Sequence, residues 1–207
     1  MRKIVFIIIL AEVGFRSAFA LPVSIYSDNF NLPIPFNASL NISKGPMDDA
    51  IIEIPDHKII HDLEVEISLT HPNAFDLHIY LESPSGTSVK LISYDPYTEF
   101  FFGENYVQTV FDDDAPVYIK DGVAPFTGKF RPVERLSEFN DEDIYGSWKL
   151  KILDAYYADT GTFESFELTI TIPEPNTLLL LLMGVYIAVG FRPCRNRQAN
   201  SKRNPFR

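Results

Sequence analysis

The chain has 207 residues, 46% of them hydrophobic and 22% charged, with a formal net charge of −10. That length suits one domain with a full core, and that charge excludes nucleic acid and anionic membrane surfaces as natural partners. The one cysteine, Cys194, has no second thiol in the chain to pair with.

Residues 1–20 read as an export signal. Arg2 and Lys3 make a positive start, Ile4 to Ala11 a short apolar stretch, and Ala18-Phe19-Ala20 a small-residue cleavage pattern. Glu12 and Arg16 interrupt the apolar character. Cleavage after Ala20 would start the mature chain at Leu21. Residues 21–172 are then the folded part, with nine Lys/Arg against 26 Asp/Glu, a formal charge of −17. The whole-chain figure conceals this because both termini are basic. Without a disulfide, this part must be held by its core or by metal.

Within the folded part the dominant pattern has period two. Residues 21–35 are Pro-rich and extended, leading into a first strand. Leu63, Val65, Ile67 and Leu69 alternate with polar residues, as do Leu77, Ile79 and Leu81. Trp148, Leu150 and Ile152 repeat the pattern, and so do Phe166, Leu168, Ile170 and Ile172. Each run predicts a strand with one buried face. Ser83-Pro84-Ser85-Gly86 predicts a tight hairpin turn. No useful helical stretch interrupts these short strands, which argues for an antiparallel sandwich or jelly roll.

Asp112, Asp113 and Asp114 stand in a row. Such carboxylates crowd only with a counter-charge nearby, and a hard cation with oxygen ligands would supply one. Asp76, Asp154 and Asp159 each fall at the end of a predicted strand, from which they could converge on the row. The other reading is a set of solvated turn aspartates. His57 and His61 are four apart but flank a strand, which makes poor zinc spacing. Tyr94, Tyr97, Phe100, Phe101, Phe102 and Tyr106 form an aromatic stretch. Exposed, it would mark a protein or glycan site; buried, it would cover one end of the sandwich.

The C-terminus has three parts. Pro173-Glu174-Pro175 precedes an apolar run over Thr177 to Phe191, and Arg192 to Arg207 carry six Lys/Arg and no acid. The run is shorter than the roughly 20 residues of a helical span, although flanking arginines can snorkel. Read as a transmembrane helix over 177–191, it keeps the basic tail cytoplasmic. Everything before Pro173 is then outside.

Four stretches resemble the P domain, or P/Homo B domain, of subtilisin-like proprotein convertases. They are Thr70-His71-Pro72-Asn73-Ala74-Phe75-Asp76-Leu77 running on to Leu81–Thr87; Thr109–Ala115; Ala124–Gly128 with Arg131-Pro132 and Leu136–Asn140; and Gly146–Leu150 with Asp154 and Asp159–Thr162. The resemblance covers about residues 25–172. It implies an all-β, jelly-roll-like antiparallel sandwich, and it implies calcium held by carboxylates among Asp76, Asp112, Asp113, Asp154 and Asp159. In convertases the P domain stabilises an adjacent serine endopeptidase, but no triad context appears here. Gly86-Thr87-Ser88 reads as part of a turn, not as a nucleophile segment.

The C-terminal layout resembles the PEP-CTERM sorting signal, whose Pro-Glu-Pro site is processed by an exosortase. The resemblance makes residues 173–207 a signal of three parts: Pro173-Glu174-Pro175, the membrane segment and the basic tail. An ordinary C-terminal anchor is the other reading. Together these features predict an exported, non-catalytic P-domain protein at the cell surface or in the extracellular matrix. It would bind exopolysaccharide or protein, or else stabilise a separately encoded subtilisin-like protease.

Overall fold

The computed structural model describes residues 23–36, 47–93, 103–156 and 159–172. The chain divides into two compact units, Met1–Pro173 and Glu174–Arg207, and all described residues belong to the first. Ala18, Ala20, Pro173-Glu174-Pro175, the apolar run 177–191 and the aromatic residues from Tyr94 to Phe102 lie outside the described residues. Among the described residues, no helix is long and apolar enough to cross a membrane.

The described part is all-β with three short 3₁₀ turns. Its strands are β1 (Val23–Ile34), β2 (Ala50–Ile54), β3 (Asp62–Thr70), β4 (Leu77–Glu82), β5 (Ser88–Ile92), β6 (Tyr106–Phe111), β7 (Phe126–Phe130), β8 (Gly146–Asp154) and β9 (Gly161–Thr171). They form two sheets, in the orders β1-β9-β3-β6-β7 and β2-β8-β4-β5. The four alternating runs read from the sequence are β3, β4, β8 and β9, and the predicted apolar positions of β3, β4 and β8 are all buried. In β9, Phe166, Leu168 and Ile170 are buried, while Ile172 lies just past the strand and is half-buried.

The period-two pattern works because successive side chains of a strand point to opposite faces. Here the inward faces of both sheets contribute to one hydrophobic cluster. Trp148 is fully buried, lies edge-on to Phe139 at 5.2 Å, and donates its indole N–H to the Ile144 carbonyl at 2.9 Å. Its polar handle is thus satisfied inside the core.

Pairing is antiparallel except at one edge. β6 and β7 run parallel, which corrects the expectation of purely antiparallel sheets. The connection between them is long enough to cross over, and it carries the 3₁₀ turn Ile119–Asp121. The predicted hairpin is present: Glu82 pairs with Ser88, and Gly86 sits at φ +94° with its N–H donated to the Ser83 carbonyl. Glycine is required there because other residues rarely adopt that φ. Gly86-Thr87-Ser88 is therefore a turn leading into β5.

Candidate functional site

The last residue of β3 is Thr70, and the chain then turns through His71-Pro72-Asn73 into a 3₁₀ turn, Ala74–Asp76. β4 follows at once and pairs Leu77 with Asp154, the last residue of β8. The Ala155 N–H donates to the Asp76 carbonyl at 2.8 Å. β9 starts at Gly161 and pairs Thr162 with Thr70. Four strand ends therefore bring His71, Asn73, Asp76, Asp154 and Asp159 to one end of the molecule.

His71 is locked in place from several sides. Its backbone N–H donates to the Asn105 side-chain oxygen at 2.9 Å, and its carbonyl accepts from the Asn105 N–H at 3.1 Å. Asn105 does this from φ +66°, a left-handed conformation that asparagine tolerates better than most residues. A methyl group on Gly161 would sit 2.4 Å from the Thr70 carbonyl and 2.6 Å from the His71 ring, so only glycine fits.

The His71 ring makes two short polar contacts. Nδ1 lies 2.7 Å from the Asn73 carbonyl, and Nε2 lies 3.3 Å from Asp154 Oδ2. Nδ1 also faces the Asn73 backbone N–H at 3.2 Å, so that nitrogen meets both an acceptor and a donor of the same residue. Burial works against a charge on the ring, but the hydrogen bonds to Asp154 and to the Asn73 carbonyl outweigh it and hold the pKa above its ordinary value. Both side chains of this contact are fully buried. The second Asp154 oxygen accepts from the Tyr156 N–H at 2.8 Å.

Asp76 is the residue under stress. It is 5% exposed, and its Oδ2 is buried with no hydrogen-bond partner. Burial first, and then the charges of Asp154 and Asp159, push its pKa up to about 6, against an opposing pull from His71 and the Asn73 side chain. Asn73 Oδ1 is likewise buried and unpartnered. Three carboxylates gather at this end, and a divalent cation would offset their charge. Oxygen donors with orphaned lone pairs suit a hard cation such as calcium. Among the described residues, no three His, Cys, Asp or Glu side chains are arranged to hold a metal by themselves; amide and carbonyl oxygens would have to complete any shell.

The other predicted ligands go elsewhere. Phe111 pairs with Val65, so Asp112 lies level with Glu64, near the start of β3. His71 is seven residues farther along the chain, roughly 23 Å away at the usual strand rise. Asp112 accepts from the Lys129 ammonium at 2.9 Å and from the Asp114 N–H at 2.8 Å. Asp113 accepts from the backbone N–H groups of Leu136 and Ser137, at 2.9 and 3.0 Å, and so caps the 3₁₀ turn Leu136–Phe139. This corrects the expectation that Asp112 and Asp113 join Asp76, Asp154 and Asp159. A lysine and backbone donors relieve the row, and it behaves as turn aspartates do.

His57 is exposed, stacks on Tyr145 at 4.1 Å and contacts Asp143 at 2.8 Å. Of the aromatic stretch, Tyr106 is described, and it is core. Its ring stacks on Phe126 at 4.7 Å, its hydroxyl donates to the Ala74 carbonyl at 3.0 Å, and burial raises its pKa. Sequence reasoning missed Asn73, Asn105 and Gly161 as parts of the site, because nothing in a linear pattern says which strand ends will meet.

Among curated proteins none matches the chain. Two of the similar solved structures are a serine protease of Aeromonas sobria, at 17% identity and a TM-score of 0.45 over 73% of this chain and 27% of that one, and the complex of the Aeromonas sobria serine protease with the chaperone ORF2, at 17% identity and a TM-score of 0.45 over 74% and 28%. The chain thus spans about a quarter of the length of those proteins. The family model of the proprotein convertase P-domain matches residues 60–170, which run from the start of β3 to the end of β9 and enclose the whole candidate site. The chain belongs to the proprotein convertase P-domain family.

Proposed function

We propose that this P-domain protein is exported, does no catalysis of its own, and serves as a binding or structural module at the cell surface or in the extracellular matrix. The observation that carries the reading is the P-domain match across residues 60–170, a domain that is an accessory rather than a catalytic part. In this reading residues 1–20 are a signal peptide, 21–172 are the P domain as a jelly-roll sandwich, and 173–207 are a sorting signal that an exosortase cuts at Pro173-Glu174-Pro175.

Intact-mass measurement on the protein from its producing cells tests the sorting. The expected chain begins near Leu21 and lacks Arg192 to Arg207. A cytoplasmic product running from Met1 to Arg207 would overturn it. Sedimentation with exopolysaccharide supports the matrix module, whereas co-purification with a subtilisin-like protease assigns the accessory role instead.

The reading includes calcium, held by carboxylates among Asp76, Asp154 and Asp159 with amide and carbonyl oxygens completing the shell. Its support is the orphaned Asp76 oxygen and the unbalanced charge around it. A cation bound only to the native state adds RT ln(1 + [L]/Kd), about 2.7 kcal/mol at 100 times Kd. For a domain near 150 residues this is worth roughly 5–10 °C in Tm. Calcium is expected to raise Tm by that amount over chelator, and Asp76→Asn to remove most of the gain. Asp112→Asn is expected to keep it. Equal Tm values in calcium and chelator would rule out the site.

A further inference from the structure

We propose that Asn73 is a direct ligand of the cation site, supplying a neutral side-chain oxygen beside the carboxylates. The inference rests on the calcium reading above and extends it to a residue that the acidic pattern does not point to. Two buried oxygens at this end of the molecule have no hydrogen-bond partner, Asp76 Oδ2 and Asn73 Oδ1. They belong to residues three apart in a single turn, closed by the Asp76 N–H donating to the Asn73 carbonyl at 3.2 Å. Leaving a buried polar atom unmade costs about 1–3 kcal/mol. Two such atoms in one turn are therefore unusual unless something else uses them.

The surroundings favour a cation over a hydrogen-bond donor as that user. Strand pairing brings Asp154 and Asp159 to the same end of the molecule as Asp76, and the charges of both raise the Asp76 pKa. The His71 ring is committed to Asp154 and to the Asn73 backbone. It fixes the backbone of Asn73 from one side. The Asn73 amide also lies close enough to the Asp76 carboxylate to lower its pKa. A half-turn about χ2 exchanges the amide nitrogen and oxygen. The same side chain can thus donate to Asp76 without a cation and turn its oxygen to the cation with one. Calcium shells regularly include asparagine oxygens alongside carboxylates.

Two other features do not point to a ligand in this way. Lys58 contacts Ser24 Oγ at 3.0 Å and Tyr26 OH at 3.2 Å, but its pKa is raised, chiefly by Tyr26, which is the wrong direction for a base. The acidic outer face around Glu66 and Glu167 has no buried orphan atom among the described residues.

The test is calcium titration of the full chain and of Asn73→Ala and Asn73→Asp, followed by terbium luminescence and by Tm in calcium and in chelator. Asn73→Ala is expected to weaken calcium affinity by about 10–100-fold, the scale seen when a metal site loses a supporting group. Asn73→Asp keeps an oxygen and is expected to bind within a few-fold of the unaltered chain. Wild-type affinity in Asn73→Ala would overturn the ligand role while leaving the calcium site standing. No calcium binding by the unaltered chain would overturn the site, and Asn73 with it. If Asn73→Ala does not fold, Asn73→Asp decides: ligation predicts retained affinity, and a purely structural amide predicts a Tm loss in chelator that calcium does not repair.

Discussion

The two ends of β3 carry the same chemistry in opposite circumstances. At the Asp62 end, Glu64 and Asp112 share the Lys129 ammonium at 2.7 and 2.9 Å, and the lysine is half exposed. Asp62, close to Asp112 and Asp114, has its pKa raised chiefly by partial burial. At the Thr70 end, His71 and Asp154 meet with no exposure at all, and Asp76 is buried at the same end with an oxygen unpaired. One end disperses charge into water; the other concentrates it in the dry interior. The difference teaches that a row of aspartates is a weaker sign of a site than two isolated aspartates that the fold buries together. Water and a flexible lysine neutralise the first group at little cost, whereas the second needs a partner of fixed position.

Substitutions at the two ends break or sharpen this contrast. The largest effect is expected from His71→Ala, which strands the buried Asp154 carboxylate and should cost about 3–5 kcal/mol in urea unfolding. A loss under 1 kcal/mol would show that water reaches this end. Gly161→Ala comes next, because its methyl group would meet backbone and the His71 ring; crowding of that kind costs roughly 1–3 kcal/mol. Asp113→Ala removes the acceptor for two turn N–H groups and should cost about 1 kcal/mol, as loss of a cap does, with no change in calcium response.

Lys129→Ala tests the exposed end directly. Its ion pairs should be worth about 0–1 kcal/mol and should fade in high salt. Glu66→Gln is the smallest. Partial burial and then Glu167 raise the Glu66 pKa above 4.5. A raised carboxyl pKa means the folded state binds the proton more tightly, so the penalty is absent below pH 4.5 and grows as pH rises through the folded value. Glu66→Gln should therefore raise the unfolding midpoint slightly at pH 7 and leave it unchanged in acid.

Much of the fold was legible in the chain. The alternation of Leu63, Val65, Ile67 and Leu69 is a local property, since one residue of slip would place all four in water. The same holds for Leu77–Leu81, Trp148–Ile152 and Phe166–Ile170, and Gly86 marked its turn by conformation alone. β2, β6 and β7 were harder to read. Ala50–Ile54 is only five residues long, and Tyr106–Phe111 and Phe126–Phe130 each alternate imperfectly. The parallel pairing of β6 with β7 is a long-range choice that no short pattern encodes.

Asp76 and Asp154 were visible as candidates because each ends a strand. Their meeting depended on β4 pairing with β8 in the register Leu77 to Asp154. The same register logic carried Asp112 to the opposite end of β3. By itself, then, the amino-acid sequence determined four of the strands with their core residues, the excess of acid and the P-domain family. Only the tertiary structure decided which acids lose their water and which keep it. Alternation acts between neighbours along one strand, whereas burial of a charge depends on which strand ends the whole fold brings together.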